Sequence, residues 1–350
     1  MAPKNSRKDT EAGMSFDRPQ LLLAMSGNAF RQLFGAEPLA RLESLAALGT
    51  PRAVESFGDS EALQRLSATE VLLTGWGCPP LDARVLAHTP RLRAVIHTAG
   101  SVKSHITDAC WDRGLVISSA ADANAIPVAE YTLAAILGAG KRIPAYAAGY
   151  REHAGRYAWR ETMPESSNYQ RTVGVVGFSR VGRRVVQLLR PFDLDVLVAD
   201  PYADPEDVAS CGGTLLELDD LLARSEIVSL HAPELPSTYQ MINAKRLAML
   251  ADHATLINTA RGSLVDTEAL TAECLSGRLF AVLDVTDPEP LPAESPLYRL
   301  SNVVLTPHIA GALHGETRRL VQLALDELDR FTRGAPLRHQ IHRSSLPRIA

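Results

Sequence analysis

The sequence is short of cysteine and of long apolar runs. Its four cysteines, Cys78, Cys110, Cys211 and Cys274, form no C-x-x-C pair and have no histidine nearby at metal-ligand spacing. We interpret them as the reduced cysteines of a cytoplasmic protein, and we predict no metal site. No run of eighteen apolar residues occurs, so we expect no segment to span a bilayer.

An excess of charge of either sign is also missing. The 36 Lys and Arg residues nearly balance the 40 Asp and Glu residues, which gives a formal net charge of −4 at pH 7. This balance argues against nucleic acid or an anionic membrane as a main partner. The N-terminal residues are polar and charged, so residues 1–18 are predicted to be a disordered tail rather than a signal peptide.

What the chain does have is a hydrophobic content of 46% over 350 residues, enough for a substantial core and two domains. In its first part, short apolar runs alternate with helical patterns, which predicts a small parallel α/β domain. The four predicted strands are Leu21–Met25, Val71–Thr74, Ala94–His97 and Val116–Ser118. Near residue 120 the pattern changes to a long apolar helix, Ala125–Arg142, with Pro127 in its first turn.

From Thr172 onward, six apolar runs follow one another, and helical patterns such as Leu215–Ala223 separate most of them. This rhythm is typical of a doubly wound sheet made of two mononucleotide-binding halves. The amphipathic helix Glu316–Arg333 is expected to pack back on the N-terminal domain, and the tail after Arg338 is expected to be frayed. The six predicted strands are Val173–Gly177, Val196–Ala199, Ile227–Leu230, Thr255–Asn258, Ala281–Asp284 and Val303–Thr306.

The segment Thr172–Gly182, TVGVVGFSRVG, predicts a dinucleotide-binding turn. A buried strand ends at Gly177, a helical pattern starts at once, and the next strand ends in Asp200, twenty-three residues after Gly177. The free N–H groups of the helix N-terminus suit a pyrophosphate. A carboxylate at the tip of the second strand accepts bonds from the adenosine ribose hydroxyls and repels a 2′-phosphate, so NAD is favoured over NADP.

The glycine fingerprint departs from the standard pattern at one position. Ser179 stands where the second glycine of G-x-G-x-x-G is expected. Its Cβ and hydroxyl either push the phosphate outward or hydrogen-bond it. The alternative to a dinucleotide-binding turn is a glycine turn that serves only to pack the strand against the helix.

Three chemically apt side chains follow the last three predicted strands. Because parallel strands end at one edge of a sheet, about 5 Å apart, Arg261, Glu289 and His308 can converge. Reduction of a 2-keto acid needs a forked cation for the carboxylate and a proton donor at the ketone oxygen, which Arg and His supply. A buried Glu beside the His stabilises the imidazolium. Taken singly, the Arg could cap a helix, the His could be a core residue and the Glu could be solvated.

Several segments together resemble the signatures of the D-isomer-specific 2-hydroxyacid dehydrogenase family. They are Leu256–Gly262 (LINTARG), Leu283–Leu291 (LDVTDPEPL), Leu305–Gly311 (LTPHIAG), the glycine turn, Asn124–Glu130 (NAIPVAE) and His231–Pro233. The resemblance covers roughly Leu21 to Arg333. It implies a Rossmann-type doubly wound parallel sheet for the cofactor, residues 123–311, and a smaller flavodoxin-like α/β substrate domain, residues 19–122 and 312–338, followed by the tail 339–350.

The resemblance also implies an activity and a set of site residues. The activity is NAD-dependent hydride transfer between the nicotinamide and a small 2-hydroxy or 2-keto acid, by a homodimer. Arg261 would bind the substrate carboxylate, Glu289 would be the partner of His308, and His308 would be the acid/base. The substrate would also meet Gly100, Ser101, Val102 and Trp76. The implied cofactor contacts are Gly177, Arg180, Val181, Gly182, Asp200, Pro233, Thr238, Thr259, Ala260, Arg261, Asp284, His308 and Gly311.

Two other interpretations remain open at this stage. A non-enzymatic NAD-sensing scaffold, like the C-terminal-binding-protein corepressors, resembles the enzymes at the Arg, Glu and His positions. A phosphorylated substrate such as a phosphoglycerate would need a cationic cluster in the first domain, where Lys103, Arg91 and Arg93 mostly fit a solvated surface. The indole of Trp76 either faces the cleft or packs on a glycine-flanked loop.

Overall fold

The chain forms two compact units in the computed structural model, which describes residues 18–50 and 52–348. Unit 1 comprises the described residues up to His97, with His105–Ser118 and Ala324–Gln340. Unit 2 comprises Thr98–Ser104, Ser119–Leu323 and the described residues from Ile341. The predicted disordered tail, 1–18, lies outside the described residues apart from Arg18. That one domain binds the substrate and the other binds the cofactor stays a prediction.

The strands are short, and most of them coincide with the predicted apolar runs. Their bounds are β1 Gln20–Ala24, β2 Ala47–Leu48, β3 Val71–Thr74, β4 Ala94–His97, β5 Val116–Ser119, β6 Arg171–Val176, β7 Leu194–Ala199, β8 Thr214–Leu215, β9 Ile227–Leu230, β10 Thr255–Asn258, β11 Phe280–Leu283, β12 Val303–Leu305 and β13 Gln340–Ile341.

Helices connect most of these strands. Among the described residues, no helix is both long enough and apolar enough to cross a membrane. The helix bounds are α1 Gly27–Leu33, α2 Ala36–Leu45, α3 Ser60–Ala68, α4 Ala83–Ala87, α5 Asp108–Asp112, α6 Ala121–Gly140, α7 Ile143–Glu152, α8 Arg180–Leu189, α9 Pro205–Cys211, α10 Leu218–Arg224, α11 Ala244–Leu247, α12 Thr267–Leu275 and α13 Thr317–Thr332.

The first sheet has the strand order β13-β5-β4-β3-β1-β2. Strand β1 pairs in parallel with both β2 and β3, and β3 pairs in parallel with β4. Without the terminal β13, this is the flavodoxin-like order 2-1-3-4-5. The predicted α/β class of this sheet is therefore confirmed.

The second sheet has the order β12-β11-β10-β9-β6-β7-β8, and its neighbouring strands are parallel. Counted from β6, this is the doubly wound order 3-2-1-4-5-6 with one further strand. The six predicted strands are present, so the Rossmann-type prediction is confirmed. The additional strand β8 was missed because two residues are too short to show a period, and it occupies the start of the predicted helix Leu215–Ala223.

Side chains of the second sheet alternate between two hydrophobic clusters. In β10, Leu256 belongs to a cluster that includes residues of α10, α11 and α12, whereas Ile257 belongs to one that includes residues of α6, α8 and α9. In β11, Leu283 and Val282 divide in the same way. Helices therefore cover both faces of the sheet, and its strands are buried on both sides, as parallel sheets require.

The strand register aligns the ends of the central strands in one row. Val176 pairs with Ala199 and with Leu230, Leu230 pairs with Asn258, and Leu283 pairs with Asn258 and with Leu305. The residues that follow these strand ends therefore begin at the same edge of the sheet, with neighbours about 5 Å apart. They are Gly177, Asp200, His231, Thr259, Asp284 and Thr306.

Two local predictions differ from the structure. Helix α6 begins at Ala121 rather than at Ala125, because Asn124 N–H already bonds to the carbonyl of Ala120 at 2.9 Å. Pro127 consequently lies inside the helix and not in its first turn. In the tail expected to be frayed, β13 joins the first sheet and a 3₁₀ segment covers Arg343–Arg348.

Candidate functional site

The turn from β6 to α8 requires glycine at two positions. Gly177 has a φ of +96°, and a Cβ there would lie 2.7 Å from the backbone nitrogen of Ala232. At Gly182 a Cβ would lie only 1.9 Å from the carbonyl oxygen of Gly177. Both glycines therefore allow close backbone approach, and they bring the N-terminus of α8 onto the end of β6.

Ser179 does not have the positive φ that would favour glycine at its position. It has a φ of −94°, is exposed, and makes no side-chain bond that caps α8. The first N–H groups of the helix thus have no side-chain cap and suit an anion. Arg180, predicted to contact the pyrophosphate, has its Nε 2.7 Å from Oδ1 of Asp122. Val181 is half-buried and packs against the hydrophobic cluster that includes residues of α6, α8 and α9.

Asp200 links the glycine turn to the segment after β7. Its Oδ2 accepts a bond of 2.7 Å from the N–H of Phe178, and its Oδ1 accepts one of 2.8 Å from the N–H of Tyr202. The carboxylate is therefore fixed beside the turn. Because each carboxylate oxygen has a second lone pair, Asp200 keeps acceptor capacity for a ribose hydroxyl.

The segment after β9 is organised around Thr238. The Thr238 hydroxyl donates to the carbonyl of Pro233 at 2.6 Å and accepts from the N–H of Leu235 at 2.9 Å. His231 is buried beside Gly177, and burial lowers the pKa of His231 to about 3. Its Nε2 hydrogen-bonds the Ser229 hydroxyl at 2.9 Å, so this histidine is a neutral supporting residue.

The turn that carries Arg261 is held by the last residue of β10. The amide of Asn258 donates to the carbonyl of Arg261 at 2.8 Å and accepts from the N–H of Ala260 at 3.1 Å. Thr259 is buried, and its hydroxyl lies 3.0 Å from that of Thr132 on α6. These contacts make the backbone around Arg261 rigid.

Gly262 brings this turn against the segment after β11. A Cβ on Gly262 would lie 2.0 Å from the carbonyl carbon of Thr286. The half-buried Arg261 side chain donates from Nη1 to the carbonyl of Ala260 at 2.6 Å. The segments that carry Arg261 and Glu289 are therefore in direct contact.

Asp284 holds the segment after β12. Its carboxylate is buried, with the residue only 2% exposed. Oδ1 accepts from the Thr306 hydroxyl at 2.6 Å and from the N–H of Ile309 at 2.8 Å, and Oδ2 accepts from the N–H of Ala310 at 2.8 Å. The backbone carbonyl of Asp284 accepts from the N–H of His308 at 2.9 Å.

The structure brings His308 and Glu289 together as a hydrogen-bonded pair. The distance from His308 Nδ1 to Glu289 Oε1 is 2.7 Å. A carboxylate only accepts, so Nδ1 carries the proton and Nε2 is left to face a ligand. The prediction of a buried Glu is wrong, since the side chains of His308 and Glu289 are 52% and 44% exposed. Glu289 lies on a loop, which explains its access to solvent.

Asn124 joins two of the remaining predicted residues. Its Oδ1 accepts from the N–H of Ala312 at 3.0 Å. A Cβ on Gly311 would lie 3.4 Å from that oxygen, and one on Gly100 would lie 3.4 Å from the Asn124 nitrogen. The predicted substrate loop, which continues through Ser101 and the buried Val102, therefore meets the end of the His308 segment at Asn124.

Sequence reasoning missed the residues that support the site segments through hydrogen bonds. Asn124 and Asn258 bond to backbone groups of site segments, and the Tyr131 hydroxyl lies 2.7 Å from that of Thr306. The available signals were Asn258, at the end of an apolar run in LINTARG, and Asn124, the first residue of NAIPVAE. Trp76 lies in unit 1, and its place in a substrate site stays a prediction. Among the described residues, no cluster of three His, Cys, Asp or Glu side chains could hold a metal.

Comparison with known proteins identifies the family. Residues 133–310 match the sequence model described as D-isomer specific 2-hydroxyacid dehydrogenase, NAD binding domain. The glyoxylate reductase of Thermofilum pendens is 35% identical over 261 residues, which cover 73% of this chain and 76% of that protein. The chain belongs to the D-isomer specific 2-hydroxyacid dehydrogenase family. The predicted resemblance is thus confirmed, and this member carries the family's NAD-binding domain.

Two other similar proteins show how much of their length this chain covers. The D-3-phosphoglycerate dehydrogenase of Mycobacterium tuberculosis is 37% identical over 255 residues, 73% of this chain but only 46% of that protein. The chain therefore spans about half the length of its mycobacterial relatives. The crystal structure of the TT0316 protein from Thermus thermophilus superposes with a TM-score of 0.74 at 30% identity, covering 92% of this chain and 99% of that one.

Proposed function

We propose that this protein is an NAD-dependent D-2-hydroxyacid dehydrogenase that reduces a small 2-keto acid or oxidises the matching 2-hydroxy acid. The observation that carries the proposal is the pair of His308 and Glu289, 2.7 Å apart, on segments that start at neighbouring strand ends. The Arg261 turn starts at the next strand end along the sheet. A cation, a carboxylate and an imidazole are thus collected at the edge where a Rossmann-type sheet binds its ligands.

Arg261 is assigned to the substrate carboxylate. A planar guanidinium binds a carboxylate through two parallel hydrogen bonds, which fixes both the position and the orientation of the substrate. The hydrogen bonds between Asn258 and the backbone of the turn fix the position from which the Arg261 side chain extends. The substrate carbonyl is then presented to His308 in a single orientation.

His308 is assigned to proton transfer at the substrate oxygen. With Nδ1 bonded to Glu289, Nε2 in its protonated form donates to the ketone oxygen during reduction, and Nε2 in its unprotonated form accepts the hydroxyl proton during oxidation. The carboxylate of Glu289 stabilises the imidazolium that exists before reduction and after oxidation. The Asp284 contacts hold the backbone of His308 in place throughout.

The residues of the glycine turn fit the dinucleotide. The N–H groups at the start of α8 would hold the pyrophosphate, and Asp200 would bind the adenosine ribose. Arg180, Val181, Pro233, Thr238, Thr259, Ala260, Asp284 and Gly311 are proposed as further contacts along the same edge. When bound, NADH supplies the hydride.

A screen of 2-keto acids with NADH, followed at the nicotinamide absorbance, tests the proposal. We expect reduction of at least one small 2-keto acid, with a higher kcat/KM for NADH than for NADPH because Asp200 repels a 2′-phosphate. Tight NADH binding without turnover of any keto acid would contradict the proposal and favour the scaffold interpretation. A preference for NADPH would remove Asp200 from the assignment.

The location and the assembly of the protein belong to the same proposal. The four cysteines are free and buried, which supports a reducing compartment such as the cytoplasm. Helix α7 has no buried residue and exposes apolar side chains, with Ile143 at 58% and Tyr150 at 49% exposure. These two residues are seven positions apart and so lie on one face of the helix. Exposed apolar side chains on one face favour association, so we propose a homodimer in which α7 of each subunit is covered by the other.

The homodimer predicts a specific effect of charge on α7. Ile143→Glu combined with Tyr150→Glu is expected to convert the dimer to a monomer, because two carboxylates would have to lose water at the interface. Sedimentation equilibrium measures the mass. Leu275→Glu, at another exposed apolar residue on α12, serves as the control and should leave the mass unchanged. A monomeric wild-type protein, or a dimer in both variants, contradicts the assignment of α7.

A further inference from the structure

Lys103 is the first cation after the predicted substrate loop, and it is held against the segment after β9. Its Nζ donates to the carbonyl oxygen of Glu234 at 3.3 Å. The lysine itself is exposed, so its ammonium group remains accessible to a ligand. The contact places a positive charge at the end of the Gly100–Val102 loop, which the family resemblance predicts to meet the substrate.

Glu234 also contacts the turn that carries Arg261. Its Oε1 accepts a bond of 2.6 Å from the hydroxyl of Ser263, two residues after Arg261. One residue therefore joins the Lys103 segment, through its carbonyl, to the Arg261 segment, through its carboxylate. Glu234 is therefore bonded both to Lys103 and to the segment that carries Arg261.

The charges of this cluster are not fully balanced. The pKa of Lys103 lies below its ordinary value, chiefly because the surrounding protein removes part of the water around its ammonium group and next because of the Arg261 charge, while Glu234 opposes the shift. Arg261 is thus close enough for the two cations to repel each other. A substrate carboxylate bound to Arg261 would reduce that repulsion only in part. A second anion placed between the two cations would reduce it further.

We propose that Lys103 and Arg261 together select 2-keto acids that carry a second anionic group. This inference rests on the proposed function, since it assigns the substrate class of the same site. Arg261 binds the carboxylate next to the ketone, and Lys103 binds the anion at the far end of the carbon chain. Lys103 is therefore a specificity residue that acts through charge, in a region that the sequence alone placed on a solvated surface.

The second anion has two possible sources, a carboxylate or a phosphate. Both suit the compact, mobile charge of a lysine, which imposes no planar geometry. The probes are therefore oxaloacetate and 2-oxoglutarate for the dicarboxylates and 3-phosphohydroxypyruvate for the phosphate. Glyoxylate and pyruvate are the monoanionic references.

The test compares kcat/KM for the dianions with kcat/KM for the monoanions, with NADH as the reductant. The wild-type protein is expected to favour at least one dianion. Lys103→Met should lower the dianion-to-monoanion ratio about tenfold or more, which corresponds to about 1.4 kcal/mol. Lys103→Arg keeps the charge and should restore most of the ratio. Lys245→Met, at an exposed lysine on α11, is the matched control and should leave the ratio as in the wild type.

The possible outcomes separate this inference from the proposed function. If no 2-keto acid of either class is reduced, the proposed function itself fails. If keto acids are reduced but monoanions are preferred, or if Lys103→Met keeps the wild-type ratio, the proposed function stands and the assignment of Lys103 is overturned. Retained thermal unfolding temperature and NADH affinity in the Lys103→Met variant show that a lowered ratio reflects specificity and not misfolding. Which dianion is preferred then identifies the second group.

Discussion

Replacement of His308 by Asn is expected to lower kcat for keto-acid reduction by a factor of about 10² to 10⁴, the usual contribution of a positioned proton donor. Asn is chosen because His308 has a φ of +55°, a left-handed conformation that Asn adopts more readily than Ala. The substitution therefore removes the proton donor with little backbone strain. NADH affinity, measured by fluorescence titration, should change little.

A matched control separates chemistry from conformation. His253 also has a positive φ, +66°, and it precedes β10, at the opposite end of that strand from Arg261. His253→Asn should retain wild-type turnover. Glu289→Gln keeps the shape of the partner but loses its charge, so it should reduce kcat for keto-acid reduction. Near wild-type turnover in His308→Asn would exclude His308 as the acid/base.

The second large effect is expected at Arg261, where charge and geometry can be separated. Arg261→Ala should lower kcat/KM for keto acids by a factor of about 10² to 10⁴, since two charge-assisted hydrogen bonds are lost. Arg261→Lys keeps the charge but not the planar fork, so it should still lose a large part of the activity. Steady-state kinetics with the best keto acid of the screen measures both losses.

Arg299→Ala, at an exposed arginine that ends the 3₁₀ segment Pro296–Arg299, provides the control for removing an arginine from the same part of the chain. Added guanidinium ion should partly restore turnover in Arg261→Ala, which a merely structural role would not produce. NADH affinity should stay close to the wild-type value. Full activity in Arg261→Lys would leave charge alone as the requirement, and full activity in Arg261→Ala would remove the residue from the site.

Much of the second sheet could be predicted because each central strand is buried on both faces and appears as an unbroken apolar run. Residues at the ends of those runs or just after them, such as Asp200, Asp284 and His308, could therefore be assigned to one sheet edge. Strand β8 could not, because two residues show no period. The start of α6 was misplaced because the rule that puts proline in a first turn took precedence over the bonding upstream of Pro127.

The supporting contacts of the site could not be predicted. The Tyr131 and Thr306 hydroxyls meet at 2.7 Å although they are 175 residues apart in the chain, and nothing in either local sequence indicates the other. The solvent access of Glu289 depends on how a loop leaves the sheet, which residue type does not reveal. Lys103 has the same limitation, since its neighbour Glu234 is 131 residues away.

The residues that orient His308, the proposed proton donor, are separate from the residues proposed to select the substrate. The two properties can therefore change independently in evolution. His308 is fixed by Asp284 and Glu289, which follow β11, and Asp284 also accepts from Thr306, which follows β12. The substrate loop and Lys103 precede these residues by more than 180 positions. Under the proposed function, substitutions in that loop change the preferred acid while Asp284 and Glu289 keep the orientation of His308. A site divided in this way can give rise to many substrate preferences on one shared reaction.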